Sequence, residues 1–332
     1  MKFLEDLPNV DSFLLTSDGL ISVSGTQLFN KSENRLITLP ENDSVVIEMS
    51  SFEEKKIAIL YANGRCNILE QDLRIEELPL KCHTSQVLDW KIATYTYDFE
   101  ILASISNVYD IKRKRKLLEN GLVGNSILAG NLLVSYGQDY LSAKSITDNK
   151  IDWNFSLNNF PKYLNWTEES TRPKVEQILG VFNELLWVHL GYNLLLSFEI
   201  KNGLLKNYFD TIPKGNGKIH LDKVNGNLKI LSGFDYYEFN LNSLKLKQTK
   251  VSNSISFHKS KYYESDNNLY FCATEINSSF PNIFGIFDTE EKVITWSKVA
   301  KEKEQFFFFP PQSNNKTIAI KDSKNTVYVY EK

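Results

Sequence analysis

The stretch "KIAILYANGRCNILEQDLRIEELPL", residues 56–80, decides how the chain is read. An apolar run stops at Asn63-Gly64, a dipeptide that accepts the positive φ angles of a two-residue hairpin turn. A second apolar run, a polar turn and a third run follow. The form recurs at 131–157, 184–210, 227–251 and 268–299, and more weakly at 19–40 and 99–120. A last copy, 316–332, holds only two strands before the chain ends.

The copies begin at 20, 56, 99, 131, 185, 228, 268 and 317, and each is usually preceded by one more apolar run, such as "SVVIE" at 44–48. Four short strands in about forty residues is the signature of a β-propeller blade. The fold expected is therefore all-β: one β-propeller over 1–332, with eight blades, or seven if the poorly marked third copy is not a blade of its own. A pair of β-sandwiches is the rival, but it does not require a repeat along the whole chain. A sheet edge left bare is open to unwanted pairing. The truncated last copy therefore points to "MKFLED", residues 1–6, as the strand that completes it.

Two copies carry a finer pattern. "ITDNKIDWNFSL" places Trp153 after Lys150, and "FDTEEKVITWSKV" places Trp296 after Lys292. Both resemble the outer part of quinoprotein-type (PQQ-type) propeller repeats, where a strand ends in Asp-x-x-x-Gly-Lys and a Trp follows on the outermost strand. "EIKNGLLKNYFD" keeps Asn202-Gly203 but has no Trp. More broadly the chain is similar to the superfamily that includes the Trp-Asp-repeat propellers. The resemblance implies a propeller without the quinone cofactor site, and it implies structural roles for Trp153 and Trp296 as wedges between blades. A flat indole fills the widening gap between twisted sheets, and its N–H needs a carbonyl partner. The run Phe306–Phe309 reads as an innermost strand buried on both faces, ended by Pro310-Pro311.

Composition narrows the function. Aromatic residues make up 13% of the 332, enough to build a sizeable core, and the formal net charge of −3 lacks the basic footprint of a nucleic-acid binder. Glu5, Asp6 and Pro8 interrupt any apolar leader at the N-terminus, so no membrane span and a cytoplasmic location are expected. Cys66, Cys82 and Cys272 are an odd, scattered set, which fits a reducing compartment. No metal-ligand spacing joins Cys82-His83, His189, His220 or His258, and no nucleotide, nucleophile-elbow or calcium-loop motif occurs. No catalytic, metal or cofactor residue is assigned.

Two stretches are candidates for recognition. The basic run "KRKRK", 112–116, can be read as a local patch for phosphate or an acidic partner, but with a net charge of −3 it reads chiefly as an exposed outer hairpin of the third blade, where Lys and Arg discourage edge pairing. The insertion "NNFPKYLNWTEESTRPKVE", 158–176, is a long segment between repeats, and such segments tend to cluster on one face and carry recognition. Tyr163, Trp166 and Arg172 are its candidate anchors, since aromatic and Arg side chains dominate binding hot spots. The other reading folds the insertion back as a cap on its own blade. The expectation is a non-catalytic, monomeric scaffold that binds a protein, with bacterial immunity against a toxin as its narrower form. The alternatives are a glycosidase-like propeller enzyme and a sugar- or small-ligand-binding propeller.

Overall fold

The computed structural model describes the chain apart from residues 41–43, 53–55, 73, 80–83, 89–90, 99–102, 119–124, 138–139, 149, 161, 165–169, 192, 211, 214–218, 266, 277, 301 and 303–304. It consists of eight four-stranded antiparallel sheets, each built from consecutive strands except the last. The chain divides into two compact units, Asn42–Thr211 and Met1–Glu41 with Ile212–Lys332.

The first of these units holds four sheets in chain order. The second sheet comprises Val46–Phe52, Lys56–Tyr61, Cys66–Leu69 and Ile75–Glu77. The third comprises Thr84–Leu88, Lys91–Asp98, Ala103–Asp110 and Arg115–Leu118; the fourth Asn125–Ala129, Leu132–Tyr136, Tyr140–Ser145 and Ile151–Ser156. A two-stranded hairpin, Tyr163–Leu164 with Ser170–Thr171, precedes the fifth sheet, Val175–Phe182, Leu185–Leu190, Leu194–Glu199 and Leu205–Phe209.

The other unit holds the first sheet (Ser12–Leu15, Leu20–Ser24, Gln27–Asn30, Arg35–Thr38) and the sixth (His220–Asp222, Asn227–Ser232, Asp235–Asn240, Lys245–Lys250). Its seventh sheet is Ile255–Ser265, Asn268–Glu275, Ile283–Asp288 and Val293–Val299. Gln312–Ser313, Thr317–Lys321 and Val327–Glu331 begin the eighth, and Lys2–Leu7 completes it. That N-terminal strand runs antiparallel to Val327–Glu331, from Lys2 opposite Glu331 to Leu7 opposite Val327, as the sequence leads one to expect.

The strands differ by position in the sheet. The second strand of the fifth sheet, Leu185–Leu190, is buried at all but its first residue, and the third, Leu194–Glu199, at all but its last. The fourth strand of the seventh sheet, Val293–Val299, alternates between exposed and half-buried side chains. A middle strand is covered on both faces by neighbouring sheets and loses its alternation; an outer strand keeps one wet face. Within each unit an apolar cluster joins each pair of successive sheets. Ala58, Leu60 and Ile68 meet Ile92 and Tyr109; Ala93 and Val108 meet Leu128 and Leu133; Leu141 and Ala143 meet Leu186, Leu196 and Phe198. In the other unit Leu231 and Tyr236 meet Leu269 and Phe287, Phe284 meets Ile320 and Tyr330, and Val327 and Val329 meet Phe13 and Leu15.

Two sequence expectations need correction. The third sheet starts earlier than the copy read at 99–120: its second strand is Lys91–Asp98, and Ala103–Asp110 is already the third. The alternating "KIATYTYD" has no Gly or Asn turn to separate it clearly from what precedes it. The run Phe306–Phe309 is not a strand. The Phe307 N–H donates to the Pro281 carbonyl (2.9 Å) and the Phe306 N–H to Ser323 Oγ (3.2 Å), so its peptide groups bond to turns and not to a ladder. Phe307 is buried against Phe284, whereas Phe308 and Phe309 are 47% and 60% exposed. The inner strand of the eighth sheet is Gln312–Ser313, after the prolines. The Gln312 side chain bonds outward, accepting from the Leu15 N–H (2.7 Å) and donating to the Phe13 carbonyl (3.2 Å) of the first sheet.

The turn between third and fourth strands has one recurrent design. A polar residue closes the third strand, and the residue four positions later has positive φ: Asn30 with Asn34 (50°), Asp110 with Lys114 (51°), Glu199 with Gly203 (69°), Asn240 with Leu244 (58°) and Asp288 with Lys292 (60°). The first residue accepts backbone N–H groups inside the turn, as Asp288 does from Glu290 and Glu291 and Asn240 does from Ser243. The N–H of the fifth residue returns to the carbonyl of the first at Gly203, Leu244 and Lys292. Only Gly takes this conformation freely; an L side chain there costs roughly 1–2 kcal/mol. Leu244 is 39% exposed and has little packing to lose. Leu244→Gly is therefore expected to raise unfolding stability by about 0.5–1 kcal/mol after the added freedom of the unfolded chain is subtracted. Urea denaturation checks this, and a destabilisation would show that Leu244 contributes packing that outweighs its strain.

Candidate functional site

The third turn sets where two indoles point. In the fourth and seventh sheets the pairing of the last two strands slips just inside the turn, between Ala143 and Lys144 and between Ile286 and Phe287. The extra residue of such a bulge turns the strand and re-aims its side chains. Trp153 lies opposite Ala143 and Trp296 opposite Ile286, each at the inner end of the slip. Counted from the turn-closing residues Ser145 and Asp288, both indoles fall at the same offset, which the spacing from Lys150 and Lys292 conceals.

Trp153 is 6% exposed. It stacks on Phe198 of the fifth sheet at 6.3 Å, and its Nε1–H donates to the Ile200 carbonyl at 2.8 Å. Gly203 supplies the floor: a Cβ there would lie 2.5 Å from Trp153 Cδ2. Trp296 is half-buried and packs edge-on against Phe284 (5.4 Å) and Tyr330 (5.3 Å). Both indoles thus bridge adjacent sheets within their unit, Trp153 fully and Trp296 in part.

The 158–176 insertion is a tethered hairpin. Ser156 caps a single 3-10 turn at Leu157–Asn159, accepting from the Asn158 N–H. Phe160 then stacks on Tyr208 of the fifth sheet at 5.8 Å and packs against Phe155 of the fourth at 6.1 Å. The Arg172 guanidinium donates to Asn158 Oδ1, tying the far end of the insertion to its start. Tyr163 lies in the first hairpin strand, opposite Thr171. Trp166, Glu168 and Glu169 lie outside the described residues. The structure thus places Tyr163 and Arg172 on the two legs of one hairpin and packs Phe160 against the outer strands of the fourth and fifth sheets.

Among the described residues, no group of three His, Cys, Asp or Glu side chains is placed to hold a metal ion. Cys82 and His83 lie outside them. His189 is buried in the second strand of the fifth sheet, and its Nε2 has no hydrogen-bond partner among the described residues. Burial holds its pKa at about 4, well below the usual 6.5, although the half-exposed Glu176 carboxylate lies 3.5 Å from Nδ1. The folded state therefore favours neutral imidazole. The unfolded chain binds the extra proton first as pH falls, so the stability His189 supports is complete above about pH 6.5 and is lost progressively toward pH 4. That loss is expected to reach roughly 3 kcal/mol, and His189→Leu should flatten this part of the stability–pH curve. Denaturant titrations from neutral to acidic pH check it; an unchanged slope in the variant would contradict it.

No protein-family model and no curated protein matches the chain. Solved structures match along nearly all of it. The crystal structure of BamB from Moraxella catarrhalis superposes with a TM-score of 0.63 at 11% identity, covering 99% of each chain. The C-terminal WD40 domain of Sif2 gives 0.66 at 11% identity, covering 100% of this chain and 98% of that one. Sqt1 of Chaetomium thermophilum, crystallised bound to the N-terminus of the ribosomal protein L10, gives 0.60 at 9% identity, covering 96% and 91%. At this identity the likeness concerns the fold: the chain is a β-propeller with eight four-stranded blades.

Proposed function

We propose that the chain is a non-catalytic, protein-binding β-propeller that works as a monomer in the cytoplasm, and that the hairpin between its fourth and fifth sheets is the recognition element. The observation that carries the reading is the construction of that hairpin. It adds two strands outside the four-stranded repeat, it is fastened at its base by Phe160 and Arg172, and it leads to a tip whose sequence carries Trp166. A secured base suits recognition, because segments already held at that base lose less conformational freedom on binding. The recorded complex of a fold neighbour with a terminal segment of another protein supports the same class of function. The turn-closing polar residue and the Trp eight positions on support assignment of the fourth and seventh blades to the quinoprotein-type repeat.

The experiment recovers a partner by affinity capture on the purified chain in an extract of its native cell, then measures affinity and melting for single substitutions. Trp166→Ala, and to a smaller degree Tyr163→Ala, should weaken binding by about 2 kcal/mol or more with the melting temperature unchanged. Phe160→Ala should lower the melting temperature. If Trp166→Ala lowers stability and leaves the affinity of the folded protein intact, the hairpin is a cap and the reading is wrong. A captured toxin whose activity the chain blocks would place it among immunity proteins.

A further inference from the structure

The basic run 112–116 is exposed throughout, but its side chains do not all point the same way. Lys114, at the left-handed position of its turn, reaches back to the second sheet and pairs with Glu76 Oε2 at 2.7 Å. Arg113, Arg115 and Lys116 instead line a cleft of about 300 Å³ between the third and fourth sheets. Lys91, which begins the second strand of the third sheet, adds a fourth cation. The facing wall comes from two turns of the fourth sheet, through Asn131 and Thr147, and Leu117 and Ile146 also line the cleft.

The walls are fixed by packing. Ala93, Val108 and Leu118 of the third sheet bury against Leu128, Leu133 and Ile146 of the fourth. Among the described residues one carboxylate lines the cleft, that of Asp110, which is nearly buried and already committed. It accepts the Arg113 N–H at 2.8 Å to close its turn, and the Arg113 guanidinium lies 3.7 Å away. Among the described residues neither Lys91 nor Arg115 has an ion-pair partner. Among the described residues four cations and one carboxylate line the cleft, and two of the cations, Lys91 and Arg115, are left for an incoming anion, on a chain whose formal charge is −3. Gathering like charges in a concave site is unfavourable until an anion enters, and Arg suits carboxylates because its planar fork donates two parallel bonds.

We infer that this cleft binds an acidic peptide segment, its Glu or Asp side chains entering between the third and fourth blades to meet Lys91, Arg113, Arg115 and Lys116. The volume admits a few side chains and not a folded domain. The compact, single-cleft placement of the charge fits a short acidic segment better than a nucleic-acid backbone, which needs a positively charged track. The inference rests on the protein-binding reading only for the nature of the ligand. It concerns a different surface from the hairpin, so the two can fail separately.

The test uses the full chain and synthetic peptides, with affinity read by fluorescence anisotropy. A labelled Glu-rich peptide should bind, and its Gln counterpart should not. Arg115→Glu should weaken binding by about tenfold or more, and Arg115→Gln by less, because an exposed side chain contributes charge and bidentate bonding rather than packing. Lys245→Glu, the same charge change on an exposed residue of the sixth sheet, should alter it less than about twofold. Circular dichroism melts confirm that each variant is folded. Equal losses for the Arg115→Glu and Lys245→Glu variants would overturn the site, as would no binding of the acidic peptide. Tighter binding of single-stranded DNA, or displacement of the peptide by inorganic phosphate at constant ionic strength, would overturn the assignment to a peptide.

Discussion

The middle strands Leu185–Leu190 and Leu194–Glu199 of the fifth sheet are buried at all but one residue each, so such a sheet is stable only when held against its neighbours. The contact is most explicit between the fourth and fifth sheets, where the Trp153 indole lies on Phe198 and hydrogen-bonds the Ile200 carbonyl. Its position follows from the chain just before it. A polar residue closes the third strand, a turn follows, the strand pairing slips by one residue, and the re-aimed side chain enters the gap between sheets. Gly203, the left-handed residue of the neighbouring sheet's corresponding turn, leaves the space the indole occupies. One local device thus shapes the turn on one sheet and the socket on the next.

The same device varies where no indole is present. In the fifth sheet the equivalent residue is Asn207, whose Nδ2 donates to Ser197 Oγ at 2.7 Å. In the third sheet it is Leu118, buried against the fourth. Here the turn itself carries the basic run, so a structural turn presents charge to the cleft on one side and to Glu76 on the other. The hairpin before the fifth sheet follows a similar economy. Phe155 and Tyr208 belong to the outer strands of two blades, and together they receive Phe160. Both candidate surfaces stand on positions that the repeat already holds rigid.

Much of the architecture was legible because strand and turn chemistry are local. Asn63-Gly64 marked a hairpin, the short final copy pointed to the N-terminal strand, and the spacing of Trp153 and Trp296 marked outer strands. What was not legible depended on partners distant in sequence. Four consecutive Phe residues look like a doubly buried strand, but their peptide groups bond to Pro281 and Ser323 in the turns of other strands. The strand Lys91–Asp98 alternates without a flanking Gly or Asn and so escaped the repeat count. The basic run read as an exposed outer hairpin, and all five residues are exposed there, but nothing in five adjacent charges shows that Lys114 points one way and Arg113 and Arg115 another. Tyr163 and Arg172 could be named from composition, whereas the tether from Arg172 to Asn158 required the fold.

The indole and its socket act as one unit, and a double-mutant cycle between Trp153 and Gly203 measures that directly. Trp153→Ala alone should cost about 3–5 kcal/mol as the inter-sheet gap empties. Gly203→Ala alone should pay both for its left-handed backbone and for the collision of the new methyl group with the indole. With Trp153 already truncated, only the backbone cost should remain, so the two substitutions should be non-additive by at least about 1 kcal/mol. Additivity within about 0.5 kcal/mol would show that the indole and the turn do not share the gap, and would contradict the claim that this contact joins the two sheets.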